Sequence, residues 1–313
     1  MASYSLKLID REQYRRDTQS AHLLGSSEWA EVIEQLFPGS LIYFAFQKGE
    51  ELQATFFLQQ RRRLGIKQVH TPLLTPWTEI TWQQHQSNHI RRRLHLHLTS
   101  ELADWVEHNF QIAAFKFAAT APDIRSFQWA GWSSSWRYSY QLTGIHEADA
   151  ALRKKLRREQ ELQIATEQPT EELMTLLEIT LGEHNFTSLP VALIYRWTSE
   201  LIDRDLARLL VVRKEGRAIA IQLLLEQEGW RGLWMQLTLP EYRSSTPGSH
   251  LVQSILQENE QYTLDFLGAD DPAIDEHKSA FGGELTSYPE VLWFRNSWLR
   301  WFYNWRHRIH SSN

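Results

Sequence analysis

The chain has no cysteine. That excludes a disulfide scaffold, a thiol nucleophile, cysteine-ligated zinc and iron–sulfur clusters. It has no apolar run near ~18 residues, so no transmembrane helix is expected. Its first residues, MASYSLKLIDREQYRRD, lack the apolar core of a signal peptide. The expected location is therefore the cytoplasm. There is no excess of basic charge. Net charge is −5, from 33 Lys+Arg against 38 Asp+Glu, which disfavours a whole-surface nucleic-acid binder. No G-x-S-x-G elbow and no dinucleotide fingerprint is found. His95-x-His97, read as part of a strand, has no carboxylate or cysteine at ligand spacing, so no metal site is expected.

What remains is an ordinary globular composition in 313 residues, enough for two domains. Lysine is scarce, eight in all, so most cations are arginines, whose planar fork suits carboxylate and phosphate. The 14 tryptophans supply large buried area and rings that can stack on a ligand.

One pattern is written twice. From Leu41 an apolar β-rich run turns at Lys48-Gly49-Glu50. It passes through Ala54, turns near Gly65 and ends before Pro76. From Leu206 the same order recurs, with turns at Lys214-Glu215-Gly216 and near Gly232, a strand through Ala220, and an end before Pro240. Each copy predicts a three-stranded antiparallel meander.

Helices flank both copies. Ser27 is placed to cap a helix that puts Trp29, Val32, Ile33 and Leu36 on one face. Before the second meander lie helices with Leu152 and Leu156, then Leu173, Leu176, Leu177 and Thr180, then one from Pro190. After it come a helix with Leu251, Val252, Ile255 and Leu256, a strand Tyr262–Ala269, a short helix near Asp275–Phe281 and a strand Glu284–Phe294. The joint between halves falls in the loop-rich stretch 121–137. The meanders exclude a purely parallel sheet. The expected class is α+β, a mixed sheet with helices on its faces.

This element order resembles the GNAT acyltransferase fold, and its duplication resembles the tandem-GNAT FemX/FemAB-type peptidyltransferases. The strings that carry the likeness are Trp136-Arg137-Tyr138-Ser139-Tyr140-Gln141-Leu142, the basic helix Leu152–Arg158, and Leu264–Ala269 followed by His277–Gly283. The last pair resembles the family's "DF-x-G … K-x-x-F-G-G" signature. The resemblance implies two tandem GNAT-like domains, 1–134 and 135–295, with a tail helix 296–313 packing on the first. It implies transfer of an acyl or aminoacyl group to an amine acceptor in a cleft of the second domain, at the domain interface. No metal or resident cofactor is required. The donor is a coenzyme A thioester or an aminoacyl-tRNA, and the sequence leaves the two open. The chain is expected to act as a monomer. A non-catalytic binding protein with a decayed donor site and a coenzyme A-dependent acetyltransferase of small amines are the alternatives.

The candidate site residues follow from matching positions. Asp265 is the candidate general base, facing away from the apolar layer of its strand. Lys278 matches the family's cleft lysine and is a candidate for oxyanion stabilisation. Arg137, Tyr138 and Tyr140 lie at the joint as substrate-binding candidates. Asp270 and Asp271 follow the strand; Asp271 is read as the cap of the helix starting at Pro272. Ordinary GNAT enzymes show Q/R-x-x-G-x-G/A before their central helix. Here the string is Arg243-Ser244-Ser245-Thr246-Pro247-Gly248-Ser249. Arg243, Gly248 and Ser249 remain candidates for donor binding, but Thr246 replaces the first glycine and Pro247 has no N–H. The arginine clusters Arg61–Arg63, Arg91–Arg93 and Arg153–Arg158 are candidates for tRNA contact. The tail carries Trp298, Trp301, Phe302 and Trp305 at helical spacing with Arg300, Arg306 and Arg308 between them, a pattern suited to peripheral membrane contact. Trp77-Thr78-Glu79 departs from the family's aromatic–glycine turn, and no coiled-coil insertion fits in 144–205. Acceptor identity is therefore not implied.

Overall fold

Both meanders are present. A computed structural model describes residues 3–18, 21–83, 88–120, 123–143, 148–157, 162–184, 189–258 and 261–301. The chain runs β1 (Tyr4–Ile9), α1 (Arg11–Asp17), α2 (Ser27–Leu36), β2 (Leu41–Lys48), β3 (Glu51–Arg63), β4 (Ile66–His70), β5 (Thr81–Trp82), α3 (Asn88–Asn109), β6 (Ile112–Lys116) and α4 (Arg125–Trp129). It continues β7 (Ser133–Thr143), α5 (Ala150–Leu156), β8 (Gln163–Thr166), α6 (Glu171–His184), α7 (Val191–Asp203), β9 (Ala207–Lys214), β10 (Arg217–Gln227) and β11 (Trp230–Thr238). It closes with α8 (Pro247–Glu258), β12 (Thr263–Asp265), α9 (Pro272–Ser279) and β13 (Glu284–Phe294). No helix among the described residues is long and apolar enough to cross a membrane.

Contacts divide the chain into two units, Met1–Arg137 with Ser287–Asn313, and Tyr138–Thr286. The sequence reading puts the boundary at 134/135 and ends the second domain at 295. The structure returns the end of β13 to the first unit because Glu290–Phe294 pairs antiparallel with β6.

In the first unit β1, β2, β3 and β4 are antiparallel neighbours, and β4 then pairs parallel with β6. The long helix α3 covers one face. Leu94, Leu98, Leu102 and Val106 recur at three to four residues and pack with Phe44, Phe46, Phe56, Phe115 and Phe117. On the other face Tyr14 of α1 meets the rings of Tyr43 and Phe57. Trp29, Val32, Ile33 and Leu36 of α2 are buried as expected.

In the second unit the strands follow the order β7, β12, β11, β10, β9, β8, all antiparallel except the parallel pair β11/β12. Leu251, Val252 and Ile255 of α8 bury one face against Leu210, Val212, Ala220 and Leu224. Leu173, Leu176 and Leu177 of α6 and Trp197 of α7 are buried as well.

Five local expectations change. Ser26, not Ser27, caps α2, its Oγ accepting from Trp29 N at 3.1 Å. Gly232 lies inside β11; the hairpin turns at Gly229, whose φ is +73°. The third strand of the first meander ends at His70, six residues before Pro76. The strand expected over Tyr262–Ala269 stops at Asp265, because Leu267 and Gly268 take positive φ. His95 and His97 sit on α3, not on a strand. Their Leu-His-Leu-His stretch alternates locally, but the repeat Leu94, Leu98, Leu102, Val106, over about three turns, outweighs it.

Candidate active site

Both units contain one parallel strand pair in an otherwise antiparallel setting. The carboxyl ends of parallel strands are where open α/β sheets place ligands. In the second unit β11 and β12 pair only over Trp230–Gly232 with Thr263–Asp265. β11 then runs on to Thr238 while β12 stops. What stops it is a two-residue bulge. Phe266 N still donates to Tyr140 O at 3.0 Å, and Ala269 N rejoins β7 at Tyr138 O, 2.7 Å. Leu267 and Gly268, at φ +51° and +125°, are looped out between them. Bulges of this kind re-aim side chains and are common beside active sites.

Side chains pin the bulge from two directions. Asp265 is 1% exposed. Its Oδ1 accepts from Ser139 Oγ at 2.6 Å and Leu267 N at 2.9 Å, and its Oδ2 accepts from Gln141 Nε2 at 2.7 Å. Ser139 Oγ also accepts from Gly268 N at 3.3 Å. Burial raises the Asp265 carboxyl above the usual aspartate value, opposed by the Ser139 and Gln141 hydrogen bonds. From the other direction Lys278 Nζ donates to Phe266 O at 2.7 Å and to Gly268 O. Burial lowers the ammonium to about 8, opposed by the charges of Asp265 and Asp270. An ammonium has three protons, and two are committed here.

The structure brings Asp265, Lys278, Asp270, Tyr138 and Tyr140 together. Asp270 is exposed and its Oδ1 accepts from Tyr138 N at 3.0 Å. Tyr138 is 41% exposed. Tyr140 donates through its hydroxyl to Asp275 at 2.9 Å, which raises its titration. Asp271 caps α9, accepting from Ala273 N and Ile274 N. Asp265 faces away from Leu264 as expected, but into a closed polar network. Both of its oxygens are occupied, so it holds the bulge and has no open path to a substrate.

Gly248 and Ser249 do not join this group. Thr246 takes φ +51° and Pro247 opens α8. Ser249 N and His250 N both bond to Thr246 O, at 3.0 and 3.3 Å. Gln236 Nε2 donates to Gly248 O at 2.7 Å, and a Cβ on Gly248 would lie 2.8 Å from that nitrogen. Ser249 Oγ is buried without a hydrogen-bond partner. Arg243 is exposed on a 3-10 turn, Pro240–Ser245.

Arg137 belongs to the first unit. It bonds Glu290 at 2.9 Å beside a cavity of about 380 Å³ that opens past the end of the parallel pair β4/β6. Arg61, His70, Thr71 and Lys116 also line it. His70 Nδ1 donates to Thr71 O at 2.7 Å, so Nε2 carries the lone pair, buried and without a partner. Burial lowers this imidazole to about 4, which keeps it neutral near pH 7. The Lys116 ammonium has no partner among the described residues. The cavity suits an anionic or strongly polar ligand.

Of the arginine clusters, Arg61 bonds Gln68 at 2.8 Å and Arg92 pairs with Asp123 at 3.6 Å. Arg153 and Arg157 are exposed on and just after α5, while Arg158 lies outside the described residues. So do Phe302, Trp305, Arg306 and Arg308 of the tail.

Sequence reasoning missed Ser139 and Gln141. Both lie on the face of β7 opposite Tyr138 and Tyr140, and Gln141 stands directly across from Asp265. It also missed the function of Gly232, which pairs with Asp265. A Cβ there would lie 2.5 Å from the Trp230 ring and 2.8 Å from Leu267 Cδ1. Gly232→Ala is therefore expected to destabilise the second unit by about 1–3 kcal/mol and to displace the bulge. Denaturant unfolding measures the loss; an unchanged midpoint would mean that Trp230 and Leu267 move aside at no cost.

Comparison with known proteins agrees with the fold. Residues 147–279 match the family model described as an acetyltransferase (GNAT) domain. The match gives residues 147–279 a GNAT acetyltransferase domain. The chain as a whole shares the fold of tandem-GNAT proteins. It is similar to FemX, with a TM-score of 0.62 and 13% identity over 91% of this chain and 96% of that one. It is similar to L-PGS from Bacillus licheniformis, with a TM-score of 0.56 and 12% identity over 93% of each chain. A tandem GNAT protein from the clavulanic acid biosynthesis pathway gives a TM-score of 0.54 and 12% identity over 94% of this chain and 99% of that one. No curated protein sequence matches the chain.

Proposed function

We propose that this protein transfers an aminoacyl group from an RNA-linked ester to an amine acceptor, with the chemistry at the Asp265–Lys278 bulge. One observation carries the choice of donor. A coenzyme A diphosphate needs free N–H groups at a helix N-terminus. At the start of α8 Pro247 has none, and those of Ser249 and His250 are spent on Thr246 O. Gly248 is packed against Gln236. An aminoacyl ester needs no such cradle. The fold likeness to FemX and L-PGS is in keeping with this reading.

The acceptor nitrogen attacks the ester carbonyl. A C–N bond forms and the carbonyl oxygen takes the negative charge. Lys278 has one N–H left for that oxyanion, and the bulge holds it in place. Once the C–N bond has formed the nitrogen is an ammonium, and Asp270, the exposed carboxylate, takes one of its protons. Collapse breaks the C–O bond to the donor, and the proton held by Asp270 passes to the departing ribose oxygen. Asp265 acts through position, fixing the bulge that Lys278 spans.

Thermal unfolding with charged tRNA and with acetyl-coenzyme A tests the donor. A ligand at 100 times its Kd adds about 2.7 kcal/mol, a shift of several degrees. A shift with charged tRNA, larger than with uncharged tRNA, is expected. A shift with acetyl-coenzyme A alone would overturn the donor and favour a small-amine acetyltransferase. No shift with either would favour a binding protein.

A further inference from the structure

We propose that one end of the first unit docks on an anionic phospholipid surface. Three large apolar side chains stand out of the protein there. Leu64, at the tip of the β3–β4 hairpin, is 88% exposed, and Trp298 and Trp301 are 58% and 67% exposed. Single exposed apolar residues are common, but these share a location. Ile66 and Leu292 pack on the cluster formed by Ile112, Phe294 and Leu299. The hairpin tip and the helix over residues 297–301 therefore meet at the same end of the unit.

The local geometry aims them outward. Leu299 N and Arg300 N bond to Asn296 O and start the helix. Leu299 turns inward, 2% exposed. Trp298 and Trp301, three residues apart, share the opposite, outer side. Leu64 takes φ +50° in the turn, a conformation that leucine adopts at a cost. A polar residue or glycine would suit an exposed tip better.

Charge selects the occupant. Arg62, Arg63, Lys67 and Arg300 are exposed around these side chains. None of the four side chains has an ion-pair partner among the described residues. Tryptophan settles at the headgroup level, where its ring is apolar and its N–H stays wet. Arginine stems lie along apolar surface while their heads reach phosphates. Leucine and tryptophan entering a bilayer, rimmed by unpaired arginines, match an anionic lipid surface better than a protein groove.

Co-sedimentation of the full chain with vesicles tests this. Vesicles of equimolar phosphatidylcholine and phosphatidylglycerol are expected to pellet the protein, and phosphatidylcholine alone much less. Added salt should weaken binding. Removing the Arg62 and Arg63 charges as R62S/R63S is expected to weaken it about tenfold or more, at roughly fivefold per charge. W298A/W301A should abolish it at moderate salt. All four positions are exposed, and circular dichroism checks that the variants fold. Absence of pelleting at low salt overturns the proposal. So does pelleting that the variants leave unchanged. Binding of a short single-stranded RNA that these variants abolish, without vesicle binding, would make the patch an RNA site. A dimer in sedimentation that W298A/W301A dissolves, without vesicle binding, would make it a self-association face.

Discussion

Replacing Lys278 by methionine is expected to lower transfer by about 10²–10³-fold, the usual cost of losing one oxyanion donor in an organised site. The substitution also leaves Phe266 O and Gly268 O without their donor. About 1–3 kcal/mol of stability should go with it. Two further readouts separate the chemical role from the structural one. Ser139→Ala removes a bond to Asp265 and one to Gly268 N but touches no reacting atom. It should lose comparable stability and much less turnover. The pH profile is the second readout. Lys278 titrates near 8, and only its protonated form donates to an oxyanion. Transfer should therefore fall as pH rises through about 8, and Lys278→Arg should move that limb upward. A Lys278→Met enzyme that retains full turnover would remove the lysine from the chemistry and leave it as a brace of the bulge.

The second large effect is on stability and lies in the first unit. Glu79 accepts from Trp77 Nε1 at 3.0 Å, and burial raises its carboxyl to about 7 from an ordinary 4.5. Below pH 4.5 the residue is protonated both folded and unfolded, and its full contribution is present. Between 4.5 and 7 the unfolded chain has ionised and the folded chain has not. Stability is lost as pH rises through this window, by about 3 kcal/mol in total. Glu79→Gln removes the ionisation while keeping an acceptor for Trp77. The variant is expected to be the more stable protein at pH 8, by several degrees in Tm, and close to the wild type at pH 4.5. Buried His22, His70 and His95, each lowered to about 4, give the opposite slope below pH 6.5 in both proteins and cancel in the comparison. A variant whose Tm follows the wild type at every pH would show that Glu79 ionises without cost.

Much of the architecture was legible from local pattern. Alternation and turn residues wrote the meander twice, and α2, α6 and α8 bury the faces their periodicity marked. The cap at Asp271 was legible because Asp-Pro is a local signal that needs no distant partner. Lys278 was singled out only through its family string; by composition it is one more surface lysine. Its burial comes from a bulge that is pinned to β7, more than 120 residues earlier along the chain.

The sequence alone therefore determined which stretches form strands and helices, that the meander occurs twice, and which faces are apolar. Those properties depend on neighbours within a few residues. Tertiary structure decided what the polar residues do. Asp265 stands across from Gln141 and beside Ser139, so its carboxylate is committed before any substrate arrives. Gly248 meets Gln236, so the helix start that carries the family-like string packs directly against β11. Hydrogen bonds are short-ranged and directional. Whether a carboxylate is a base or a brace depends on atoms within about 3 Å, and only the folded chain brings those together.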